Sequence, residues 1–206
     1  YLLKPQYVPN DPGFRSQWNL SLVGVDKAWD ISPGGSESVI VAVIDSGVAM
    51  VTDTWTMKRY DGRQFVSIDV PLKAAPDLAA PGRFVKPWDF VWGDALPADF
   101  GGHGTHVAGT IAQTANNGQG QAGVAFNSRL MPLKVCWNAW DLLFLAASSG
   151  IRLTWVDPES SGCDTSSVAQ ALRYAVDNGA RVINMSLGSP SQSQVQLDAI
   201  RYATSR

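Results

Sequence analysis

The stretch "SVIVAVIDSGVAM", Ser38 to Met50, runs apolar without a break from Val39 to Ile44 and then delivers a carboxylate, Asp45. A continuous, largely β-branched run of this length reads as a strand covered on both faces. Asp45, Ser46 and Gly47 all favour turns, so the plain reading is a strand that ends in a turn. The chemical reading is an acid presented on a rigid strand end. Two similar runs lie further along, "SRLMPLKV" at 128–135 and "RVINMSL" at 181–187. Helical patterns stand between and after them. His103 to about Ala115 reads as a helix of small residues. "TSSVAQALRYAVDNGA" is amphipathic, with Thr165 or Ser166 to cap it and Gly179 to end it, and "SQVQLDAIRYATS" is another helix. Strand and helix alternate, which predicts an α/β fold, a mostly parallel sheet with helices on both faces.

The remaining segments are less regular. Residues 1–20, with Pro5, Pro9 and Pro12, read as an extended arm, and "VDKAWDIS", 25–32, as one short helix. Residues 53–102 read as mostly irregular, with "RFVKPWDFV" supplying one strand.

Composition narrows the function classes. The 206 residues are 45% hydrophobic and 17% charged, with a net charge of −2. That is not the basic footprint of a nucleic-acid binder, so no nucleic-acid partner is expected. No apolar run is long enough for a transmembrane helix, so no membrane partner is expected either. Tyr1 is not an initiator Met and reads as the start of a processed or trimmed product. Cys136 and Cys163 are the only cysteines. A bridge between them would close a loop worth about 3–4 kcal/mol on the chain-entropy view and is expected if the protein is secreted; the alternative is two separate buried thiols.

The partner for Asp45 lies in "GGHGTHVAGTIA", Gly101 to Ala112. Glycines on both sides of His103 let another segment approach the imidazole closely. A carboxylate accepting Nδ1–H would fix the tautomer and leave Nε2 free to take a proton, the arrangement of a Ser-His-Asp triad. Asp45 and His103 supply two of the three members. His106 follows one helical turn later, but with no third histidine a zinc site has no ligand set, and His106 reads as a structural, hydrogen-bonded residue.

With these motifs in place the chain resembles the subtilisin-like serine peptidases, in particular the secreted, thermitase-like bacterial members. "VIVAVIDSGV" resembles the family's aspartate segment, "GHGTHVAGTIA" its histidine segment, "VINMSLG" its substrate-binding segment, and "YVPNDPGFRSQWNL" the start of a mature domain. The resemblance implies a three-layer fold, with Asp45 orienting His103 and His103 acting as general base and then general acid. It places Ser186, Leu187 and Gly188 beside an extended polypeptide substrate. "QTANNGQGQAG", 113–123, resembles the family's calcium loop, and the implied ligands are Asp11, Asp53, the side chain of Asn117 and the carbonyls of Thr114, Gln119 and Gln121. Asp53 stands one position nearer Asp45 than the usual spacing, without the typical "HPDL" lead-in.

The family's nucleophilic serine and oxyanion asparagine have no counterpart in residues 1–206. The expectation is therefore the N-terminal part of a single catalytic domain, inactive alone, complemented by a C-terminal segment and accompanied by a propeptide. The competing reading is a subtilase-like module that binds peptides without cutting them. An aspartic peptidase would need a second D-S-G motif or a dimer. The clearest departure from the family is the insertion 136–163, with Trp137, Trp140, Phe144 and Trp155: an altered subsite wall or docking surface, or a satellite hydrophobic cluster pinned by a disulfide.

Overall fold

The computed structural model describes residues 7–151, 153 and 155–206; residues 1–6 of the expected arm and two positions of the insertion lie outside them. In chain order, a 3-10 turn (Phe14–Ser16) leads into α1 (Trp18–Leu22) and α2 (Val25–Trp29), then β1 (Ile40–Asp45), β2 (Asp53–Tyr60), β3 (Phe65–Leu72) and β4 (Trp88–Asp89). There follow α3 (His103–Ala112), β5 (Arg129–Lys134), β6 (Cys136–Asn138), α4 (Ala139–Ser148), β7 (Ser161–Cys163), α5 (Thr165–Asp177), β8 (Val182–Asn184) and α6 (Gln194–Thr204).

Four strands form one parallel sheet in the order β4-β5-β1-β8. The alternation of side chains along β1 builds the layers. Val41 and Val43, with Leu130 of β5, pack on Ala108 and Ala112 of α3. Ala42 and Ile44, with Met131 and Leu133, pack on Val168, Ala171, Leu172 and Ala175 of α5 and Ala199 of α6. Both faces of β1 are therefore covered, which is why its sequence is apolar without alternation. The chain passes over one face of the sheet through α3 to reach β5, and over the other through α5 to reach β8. The C-terminal end of β1 is the point where the connections diverge, and such a point is where open α/β sheets place their sites.

Pro132 sits inside β5, opposite Val43. Leu130 and Lys134 turn their carbonyls toward the β4 side, accepting from Val85 N and Phe90 N. Pro132 shares that orientation, so its missing N–H falls on the side of the short, interrupted β4 and leaves the ladder to β1 intact.

Four expectations change. Residues 53–72 are not irregular but an antiparallel hairpin of β2 and β3, closed through Asp61 N donating to Gln64 O at 3.0 Å. Its alternation and the Asp61-Gly62 turn signal were present in the sequence, and the prolines that follow obscured them. The arm is helical in part, and Tyr7, Phe14 and Leu20 pack with Trp29 and Phe126 in a third apolar cluster. The cap of α5 is Asp164, whose carboxylate accepts from Ser167 N at 2.7 Å, and not Thr165 or Ser166. The strand expected over 181–187 is regular only across Val182–Asn184.

Candidate active site

Asp45 is the last residue of β1 and His103 the first of α3. The covered sheet holds the carboxylate almost out of solvent while the imidazole, at the helix start, stays open: the side chains are 3% and 61% exposed. His103 Nδ1 lies 2.7 Å from Asp45 Oδ1, which also accepts Ser46 N at 2.7 Å. Asp45 Oδ2 is buried with no hydrogen-bond partner among the described residues.

The approach of α3 to β1 depends on two glycines. A Cβ on Gly104 would fall 2.2 Å from Gly47 O and 3.1 Å from Asp45 Oδ1. Gly47 has φ +110°, and a Cβ there would meet Pro97 O at 2.5 Å. No larger residue fits either position without moving backbone.

Asp99, which the sequence reading did not single out, stitches the same junction. Its Oδ1 accepts from Ser46 Oγ at 3.0 Å and from the amides of Gly101 and Gly102 at 3.1 and 2.8 Å. Its Oδ2 accepts from Thr105 N at 2.9 Å and Thr105 Oγ1 at 2.5 Å. Ser46 Oγ accepts Gly104 N at 2.9 Å, and Thr105 Oγ1 accepts Ala49 N at 3.0 Å. The turn after Asp45 and the helix start at His103 are thereby joined twice. The signal in the sequence was an acid just ahead of a helix start, the position where unpaired N–H groups need an acceptor.

His106 is exposed on α3, and among the described residues its ring makes no hydrogen bond, against the expectation of a hydrogen-bonded structural role. Ser186, Leu187 and Gly188 follow β8. That strand pairs with β1 as far as Val43 opposite Asn184, so the three residues continue at the end of the sheet where Asp45 lies. Ser186 and Gly188 are exposed, and Leu187 packs against the α5 core. An open cavity of about 430 Å³ adjoins them, lined by Cys163, Thr165, Val168, Leu172, Leu187 and Gly188 among others.

The loop over 113–123 carries a second polar cluster. Asp11, nearly buried, accepts the amides of Asn116 and Asn117 at 2.6 and 3.0 Å. Asn117 Nδ2 donates to Asp77 Oδ1 at 2.7 Å, and Thr114 N donates to Asp77 O at 2.9 Å. A Cβ on Gly120 would lie 2.2 Å from Asp77 Oδ2. The carboxylate facing the loop is thus Asp77, not Asp53, which opens the β2–β3 hairpin and accepts from its neighbour Thr54 N. Asp77 lies in "APDL", Ala75 to Leu78, which resembles the "HPDL" lead-in that is absent before Asp53. The hairpin stands between Asp45 and Asp77 and hid it.

Cys136 and Cys163 are joined by a disulfide and face each other across the β6–β7 ladder. Of the aromatic residues expected in the insertion, Phe144 joins a cluster with Trp55 and Phe100, whereas Trp155 is exposed.

Known proteins share this arrangement of sheet and helices. The profile of the Subtilase family matches residues 36–206. The chain belongs to that family. It is 32% identical over 204 residues to the thermophilic serine proteinase of Bacillus sp. (strain AK1), covering 98% of this chain and 39% of that protein. It is 32% identical over 198 residues to thermitase of Thermoactinomyces vulgaris, covering 96% of this chain and 54% of that one. Among solved structures, a protease of Pseudoalteromonas arctica PAMC 21717 superposes with a TM-score of 0.65 at 26% identity, over 97% of this chain and 56% of the other. The chain spans about half or less of the length of these relatives.

Proposed function

We propose that the protein carrying this chain is a serine endopeptidase in which residues 1–206 supply the acid and the base. The carrying observation is the 2.7 Å contact between a buried Asp45 and an open His103. Asp45 accepts Nδ1–H and holds the ring in one tautomer and orientation, so that Nε2 takes the proton of a serine hydroxyl as it attacks the peptide carbonyl. The imidazolium so formed returns that proton to the leaving amine, and Asp45 stabilises the cation without itself being protonated. The serine and the oxyanion donor come from a complementing C-terminal segment of the same domain. Without the oxyanion donor alone, roughly 3–4 kcal/mol of transition-state stabilisation is absent.

Ser186 to Gly188 offer backbone to an extended polypeptide, a mode in which N–H and C=O groups common to every peptide are recognised. A propeptide is a further expected partner. The disulfide fits an oxidising compartment and hence secretion. Among the described residues no helix is long and apolar enough to cross a membrane.

The loop chemistry fits calcium. The carboxylates of Asp11 and Asp77 and the carbonyls of Thr114, Gln119 and Gln121, joined by the amide oxygen of Asn117 once its side chain turns over from the bond its Nδ2 makes to Asp77, would supply the all-oxygen set that suits a hard cation. The close approach of Gly120 to Asp77 leaves no room for a side chain between them. When bound, the ion supplies cross-linking charge and no step of the reaction. In the full-length protein, EGTA is expected to lower the thermal midpoint, and Asp77→Asn to lower it in calcium while Asp53→Asn does not.

The function is tested by labelling the full-length protein with a fluorophosphonate probe. Labelling of a serine outside residues 1–206, lost in His103→Ala, is expected. No labelling of the wild type, or labelling indifferent to His103→Ala, would contradict it.

A further inference from the structure

Lys134 ends β5 directly opposite Asp45 in the parallel ladder, yet its side chain does not reach solvent. Its Nζ donates to Ala98 O at 2.7 Å and to Asp141 Oδ1 at 2.6 Å. The ammonium also lies 4.8 Å from the centre of the Phe100 ring. Each of its three hydrogens therefore has a partner within reach. The Lys134 and Asp141 side chains are 0% and 1% exposed.

Asp141 is equally committed. Its Oδ1 also accepts Trp92 Nε1 at 3.1 Å, and its Oδ2 accepts Asn138 N at 3.0 Å. The second bond completes the capping box that starts α4. One ion pair thus joins the end of β5, the first turn of α4 and the loop that leads to His103. The loop is held on its other side by Val48 N, which donates to Pro97 O at 2.9 Å. Ala98 is followed by Asp99, the residue that stitches Ser46 to the start of α3.

Stability is a poor reason for such a pair. Desolvating two ions cancels most of their attraction, and apolar residues of similar volume often do as well or better. A fixed geometry is what the pair does provide. We infer that Lys134 and Asp141 are positioning residues for His103: they transmit the placement of α4, in the disulfide-closed insertion, to the Asp45–His103 contact through Ala98 and Asp99. The inference rests on the peptidase reading above. The insertion is then part of the catalytic scaffold, and its first helical turn sets how well the base is aimed.

The test uses the full-length protein and the double variant Lys134→Met/Asp141→Leu, which removes both charges and keeps volume. A purely structural pair would leave kcat alone or move it only with the thermal midpoint. A positioning pair lowers kcat, read well below each protein's midpoint, roughly 30-fold at a KM near wild type, the scale of a misplacement well under 1 Å. This holds whatever the midpoint loses through the unpaired Ala98 O, Trp92 Nε1 and Asn138 N. The low-field proton signal of His103 Nδ1–H, read by NMR without any substrate, broadens or shifts in the same variant. An unchanged kcat together with an unchanged signal overturns the inference. If the double variant shows no cooperative melt, Asp141→Asn decides: it keeps the shape and withdraws one accepting oxygen. A lower kcat at constant KM supports the inference, and an unchanged kcat rejects it. Failure of the peptidase reading looks different, because the wild type would neither cleave nor take a fluorophosphonate. The proton signal would then decide alone, its retention in the double variant overturning the positioning role.

Discussion

The junction of β1 with α3 and the layer beside it, the β2–β3 hairpin packed on α4, are held by opposite means. At the junction, backbone meets backbone across Gly47 and Gly104, and the bonds run through Ser46, Asp99 and Thr105. No large side chain intervenes. In the accessory layer, Trp55 is a hub with ring centres 4.9 Å from Trp92, 5.8 Å from Phe100 and 5.7 Å from Phe144, and a disulfide closes the segment. A cluster of rings can shift to absorb a lost or added methylene. A carbonyl 2.2 Å from a hypothetical Cβ cannot. The first region holds Asp45 against His103, and the second supplies bulk, tied to that junction by the first turn of α4 through Asp141, Lys134 and Ala98.

The largest break in this contrast is Gly104→Ala. The new methyl displaces either Gly47 or Asp45, and peptide hydrolysis by the full-length protein is expected to fall about 100-fold or more. Phe144→Leu in the ring cluster, assayed alongside, is expected to cost less than about threefold. Equal effects at the two sites would erase the distinction.

Next in size is the disulfide. Cys136→Ala/Cys163→Ala is expected to lower unfolding stability in denaturant by about 3–4 kcal/mol on the chain-entropy view. Activity per folded molecule should stay within about threefold, because the first turn of α4 remains tied through Asp141. A large loss of kcat with unchanged stability would assign the disulfide to the aiming machinery.

The smallest effect sharpens the boundary between the regions. Asp89, fully buried beside Lys134, has its carboxyl pushed up to about 7, chiefly by burial, with the Lys134 charge opposing. The native state therefore keeps a proton that the unfolded chain releases near pH 4, and stability falls as pH rises between about 4 and about 7. Asp89→Asn retains an oxygen for the amides of Val91 and Trp92 and removes that contribution. The stability of the variant relative to wild type should rise across this interval by on the order of 1 kcal/mol per pH unit. A difference that is flat with pH would show that Asp89 is ionised throughout.

The same contrast explains what could be read from the sequence. The junction is written locally: an apolar run ending on Asp45, and glycines around His103, each carry their own signal. The parallel sheet and its two helical layers follow from such runs. The polar loop over 113–123 was visible, but the second carboxylate that faces it was not, because the hairpin moves Asp77 far from Asp45 along the chain. Asp99 and the Lys134–Asp141 pair left only weak traces. A lysine closing an apolar strand gives no sign that it is buried until the residues it meets, 36 positions back and 7 ahead, are known. Such long-range pairings are fixed by packing rather than by local pattern.

The central claim is that Asp45, by accepting Nδ1–H, makes His103 the base for a serine hydroxyl. Its most direct test is kcat/KM for a peptide substrate of the full-length protein carrying Asp45→Asn, which preserves shape but disturbs the tautomer. A fall of about 10⁴-fold with an unchanged thermal midpoint is predicted. Activity within tenfold of wild type would contradict the account.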